Sequence, residues 1–93
     1  MATAHHGFNS WTAGPGEDFP PGAVHSWWMT GFGYGDFVNV TAHPLTSENQ
    51  YGLAIEHLRI VSDSGGRTML FDIRNIGPDT QLGYGVGFGW ISE

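Results

Sequence analysis

The chain has no cysteine and no lysine, and its only residues with a permanent positive charge are three arginines. Without cysteine there is no disulfide staple, no thiolate zinc cage and no thiol nucleophile. A formal net charge of −6 argues against nucleic acid, whose affinity comes from neutralised phosphates, and equally against an anionic membrane surface. No apolar run approaches the roughly 18 residues that would span a bilayer. The first residues, MATAHHGFNSW, carry neither the basic nor the apolar region of a signal peptide. A cytoplasmic location is the simplest expectation, a mature secreted form being the other.

Ninety-three residues make one small domain with an adequate core. Two compositional signals stand out. Glycine and aromatic residues are abundant, with 15 Gly, 4 Trp, 6 Phe and 3 Tyr. The arginines, Arg59, Arg67 and Arg74, fall in one segment, whereas residues 1–58 carry acidic side chains only.

Residues 1–23 read as an irregular Gly/Pro-rich arm, because AGPGEDFPPGA removes donors and forbids helix. Phe8, Trp11 and Phe19 along it predict that the arm covers an apolar groove on the body or on a neighbour. The body, residues 24–93, reads as strands. VHSWWMTGFGYG alternates with Val24, Ser26, Trp28, Thr30, Phe32 and Tyr34 on one face, and DFVNVTAH follows as a second strand. LAIEHLRIVS and RTMLFDIR flank DSGG, a four-residue hairpin loop. With Ser62 facing Arg67, Ile60 falls opposite Met69 and Leu58 opposite Phe71 on the buried face, and His57 opposite Asp72 on the other. A helix over residues 48–59, capped by Thr46 or Ser47, competes with the first strand of this hairpin, and Gly52 weighs against it. The last strand, over residues 80–91, sets Leu82, Tyr84, Val86, Phe88 and Trp90 on one side and glycine on the other.

These elements predict an all-β fold: a compact antiparallel sandwich, Ig-like or jelly-roll-like, of about six or seven strands. At LFDIRNIGPDT the chain resembles, over residues 53–90, the strand, Asn-x-Gly turn and strand of small immunoglobulin-like domains of the CARDB type. The resemblance implies an Ig-like sandwich with a binding role and carries over no functional residue.

Alternating glycine costs about 0.5–1 kcal/mol per position relative to alanine. Something must offset it: a covering segment of the same chain, a second subunit, or a flat ligand on bare backbone. The leading expectation is therefore a non-catalytic binding or self-assembly module, homo-oligomeric through glycine and aromatic surfaces that include Trp11, Trp27, Trp28, Gly31, Gly33, Gly85, Gly87 and Trp90. A carbohydrate-binding domain using exposed tryptophans is the alternative.

The best polar cluster is His57, Arg59, Asp72 and Arg74, read as a cross-strand ladder or as a contact for an anionic ligand or acidic partner. A small hydrolase built on His57 and Asp72 is the remaining reading, although no G-x-S-x-G elbow supplies a nucleophile. The histidines at 5, 6, 25, 43 and 57 have no compact ligand spacing, so neither a metal nor any cofactor is expected. GFGYGD lacks the dinucleotide-binding spacing. NVT at Asn39 fits a glycosylation acceptor, a short pattern that recurs by chance.

Overall fold

A computed structural model describes residues 3–30, 37–44, 52–63 and 66–92. Six strands are described: β1 (Thr3–Thr12), β2 (Val24–Thr30), β3 (Phe37–Pro44), β4 (Leu53–Asp63), β5 (Gly66–Asn75) and β6 (Gly83–Ser92). They form two antiparallel three-stranded sheets, ordered β1-β6-β3 and β2-β5-β4. No helix occurs among the described residues, so none there is long and apolar enough to cross a membrane.

The fold is the all-β, antiparallel, two-sheet arrangement that the alternation implies. Its core is the inner face of β5 and β6, where Met69, Phe71, Ile73, Tyr84 and Val86 are buried every second residue, as a half-buried strand requires. Each such side chain contributes about 1.5–3 kcal/mol on burial. Phe19 joins them from outside the sheets.

Residues 3–12 are not irregular. They form β1 and pair in unbroken register with β6, from Thr3 opposite Ser92 to Thr12 opposite Gly83. The irregular part is residues 13–23, and it is sewn to the body at three points. Ala13 donates to the Leu82 carbonyl (2.9 Å), Phe19 and Gln81 exchange backbone hydrogen bonds (3.1 and 3.0 Å), and Gly22 and Ala23 bond Asn75 on β5. This stitching holds Phe19 in the core. Gln81 is buried beside it with both side-chain amide atoms unpartnered among the described residues, and no feature described there explains its selection over an apolar residue.

The β4–β5 hairpin forms where expected, and a strand replaces the competing helix over the described residues 53–63. Its distal register agrees with expectation: Ser62 faces Arg67 and Ile60 faces Met69. The strands run on through Asp63 and Gly66, so the connection is shorter than the four-residue loop. The register then slips between Glu56 and Arg59, because His57 takes a left-handed backbone (φ 54) and two residues of β4 pass one of β5. Consequently the pair Leu58–Phe71 does not form, and Leu58 and Ile60 each stay 49% exposed. Ile55 and Leu53 meet the core instead.

Gly31 and Gly33, Phe32 and Tyr34, and the caps proposed for the helix lie outside the described residues.

Candidate functional site: an aromatic cleft between two sheet edges

β3 and β4 lie against each other, closing one side of the sandwich. On the other side the edge strands β1 and β2 leave a cleft of about 500 Å³, within the range of small-ligand sites. Asn9 and Trp11 line it from β1, His25, Ser26, Trp27 and Trp28 from β2, and Tyr84 from β6. A smaller depression of about 200 Å³ shares Asn9, Trp27 and Trp28 and carries the seam on to Met29, Phe71 and Phe88. Among the described residues no aspartate, glutamate, lysine or arginine lines either space.

Strand alternation sorts these side chains. On β2, His25, Trp27 and Met29 are half-buried and face the other sheet, whereas Val24, Ser26, Trp28 and Thr30 are exposed. Trp27 and Trp28 therefore do different work. Trp27 lies 6.4 Å from and nearly parallel to Phe71, as part of the wall. Trp28, 70% exposed, stands at the rim with its ring open to solvent.

At the base, Tyr84 joins the two sheets. Trp27 Nε1 donates to the Tyr84 hydroxyl (2.8 Å), and that hydroxyl lies 2.7 Å from His25 Nδ1. His25 is enclosed by rings: Phe19 at 4.1 Å, Trp11 at 4.7 Å and Tyr84 at 5.7 Å between centroids. Burial holds the His25 imidazole below its ordinary value, an effect partly offset by the Glu17 carboxylate. Burial likewise pushes the Tyr84 phenol up, partly offset by the Trp27 hydrogen bond. With the imidazole neutral and the phenol protonated, the chain runs from Trp27 N–H to the Tyr84 oxygen and from Tyr84 O–H to His25 Nδ1. His25 Nε2 then carries the remaining proton.

A lowered folded-state value means that the unfolded chain takes up the His25 proton first. The full contribution is present above the unfolded value near 6.5 and declines as the pH falls through and below it. Thermal melts should therefore show the parent losing more stability than His25→Gln as the pH drops from about 7 to about 5. Parallel losses in the two proteins would contradict the assignment.

The structure thus gathers three of the expected tryptophans, Trp11, Trp27 and Trp28. Trp90 lies elsewhere, stacked on His5 (4.8 Å, 11°) and in line with Phe88 (6.0 Å, 15°). His25, Asn9 and Tyr84 were not expected at a site. The alternation of His25 with Trp27 on β2 was the available signal.

Gly85 and Gly87 lie on the outer face of the first sheet, and their bare backbone is covered from within the chain. The Phe8 ring lies directly over Gly85, well inside the space a β-carbon would need. A β-carbon at Gly87 would sit 3.1 Å from Thr41 Oγ1 and 3.4 Å from His43 Nε2. On the opposite face of the same sheet, the Phe88 ring covers Gly7. Two aromatic rings thus fill two glycine gaps across the β1–β6 pair, the aromatic rescue known for strand glycines.

The polar ladder is present with altered pairing. His57 Nδ1 is 3.9 Å from Asp72 Oδ2, while Asp72 Oδ1 accepts from Ser26 Oγ (2.9 Å). The carboxylate stands between hydroxyl and imidazole, so the His57 imidazole is not placed to take the Ser26 proton, as the imidazole of a nucleophilic triad must be. Arg74 Nε donates to Glu56 Oε1 (2.6 Å) and its Nη1 to the Gly22 carbonyl, and Arg59 Nη1 donates to the His57 carbonyl (2.8 Å). Both guanidinium groups already have internal acceptors. Among the described residues no three histidine or carboxylate side chains are grouped to hold a metal ion.

No family model matches this sequence, and neither does any curated protein or any solved structure.

Proposed function

We propose that the chain is a non-catalytic binding domain whose ligand enters the cleft between β1 and β2. The single observation behind this is the cleft itself: a space of about 500 Å³ walled by Trp11, Trp27 and Tyr84, rimmed by an exposed Trp28, with no charged side chain among its described lining residues. An uncharged lining suits a neutral ligand, and an exposed indole beside Asn9 and Ser26 suits one with an apolar face and polar edges. A sugar ring has both: its C–H face stacks on the indole while its hydroxyls reach the amide, the hydroxyl and His25 Nε2. The covering of Gly85 by Phe8 removes the reason for assigning the glycine face to a partner, so ligand binding takes precedence over assembly through glycine.

The test is titration of intrinsic tryptophan fluorescence, with heteronuclear shift mapping, against neutral mono- and oligosaccharides. Binding should perturb Trp11, Trp27 and Trp28 and leave Trp90 unchanged. Trp28→Ala removes a side chain that contributes little to the core, so the fold should survive while affinity falls about tenfold or more. An undisturbed cleft across neutral sugars, or binding that Trp28→Ala leaves intact, would overturn the proposal.

A further inference from the structure

The four strands at the sheet margins differ in how well they resist pairing with another chain. An open edge presents unpaired backbone groups, and proteins block it with charge, proline, bulges or short length. β4 has a bulge at His57 and carries Glu56, Arg59 and Asp63. β3 ends in Pro44 and lies against β4. β2 is the shortest of the four over the described residues, at seven. β1 has none of these protections: it is ten residues long, pairs with β6 without a bulge, and contains no proline and no Asp, Glu, Lys or Arg. Its outward face also carries Phe8, which is 63% exposed even while it covers Gly85.

We propose that the edge of β1 that pairs with no described strand pairs antiparallel with β1 of a second copy of this chain, making one six-stranded sheet from two protomers. Charge selects the occupant. In a chain of net charge −6, most self-contacts set like charges against each other, but β1 brings none to the contact. An acidic or basic partner would find no counter-charge on it. Antiparallel self-pairing is also isologous, so it closes at two copies. A register centred on Phe8 sets the two Phe8 rings opposite one another and His6 of each copy opposite Ser10 of the other. The contact uses the edge backbone and the outer face; the same edge borders the cleft, so the added strand lies along the cleft's mouth and a bound ligand competes with it there.

Sedimentation equilibrium of the full chain, from micromolar to millimolar concentration, should show a monomer–dimer equilibrium. The double variant His6→Lys with Ser10→Lys alters two exposed outer-face side chains and sets lysine opposite lysine across the two-fold axis. It should keep the parent's circular dichroism and dissociate about tenfold more readily. Mixed with His6→Glu/Ser10→Glu, it should re-form a dimer. A parent that is monomeric at every concentration, or a dimer indifferent to the lysine pair, would overturn the proposal. So would a weakened dimer that the mixture fails to restore, because the loss would then not be repulsion across this edge.

Discussion

Asn75→Asp should destabilise this domain more than Asn75→Ala, although it changes the side chain least. Asn75 is 1% exposed at the end of β5, where the chain turns to cross from one sheet to the other. Its Nδ2 donates to the Phe19 and Asp79 carbonyls (2.9 Å each), and its Oδ1 accepts from Gly77 N–H (3.0 Å). The amide therefore closes the turn and anchors the segment that carries Phe19 into the core. Alanine leaves two carbonyls and one N–H without this partner, at a cost of about 2–4 kcal/mol. Aspartate keeps the contact to Gly77 but turns an acceptor, charged at neutral pH, toward two carbonyl oxygens. We expect a loss of about 3–5 kcal/mol at pH 7 in urea unfolding. Burial and the facing carbonyls raise the folded-state value of the new carboxyl. Its penalty is therefore largest above that value and fades as the pH falls toward the unfolded value near 3.9. The gap between variant and parent should thus narrow in acid. An aspartate variant as stable as the parent at neutral pH would refute this role for the amide.

Gly85→Val in the parent should cost about 1–3 kcal/mol, because a β-carbon there must evict the Phe8 ring. At an uncovered strand position the same change would stabilise, through higher strand propensity and a more restricted unfolded chain. The two cases separate in a double-mutant cycle. Phe8→Ala alone uncovers Gly85 and should lower the melting temperature. In that background Gly85→Ala should raise stability by about 0.5–1 kcal/mol, whereas in the parent it should lower it. Gly87→Val should cost less than Gly85→Val, since its nearest neighbours, Thr41 Oγ1 at 3.1 Å and His43 Nε2 at 3.4 Å, leave more room. If Gly85→Val melts higher with Phe8 in place, the ring does not explain the glycine.

Local pattern alone determined the fold class and one hairpin. Period-2 alternation in RTMLFDIR and in GYGVGFGW marks strands wherever they end up packing. The short connection around Gly66 sets the distal register of β4 on β5, with Ser62 opposite Arg67. The need to cover the glycines was also legible, and so was the neighbourhood of His57 and Asp72. The tertiary structure decided what depends on distant partners. HHGFNS has no β-branched alternation and contains glycine, so by itself it reads as an arm; it becomes β1 because β6, some eighty residues later, offers both a backbone ladder and a place for Phe8. The slip at His57 was hidden because a left-handed histidine carries no sequence mark. Adjacent tryptophans, 27 and 28, must point to opposite faces, but only the packing of β2 against Tyr84 decides that Trp27 turns inward and Trp28 outward. The cleft exists because two sheet edges, distant in sequence, stop side by side, and hydrophobic periodicity along one strand cannot report where another strand ends.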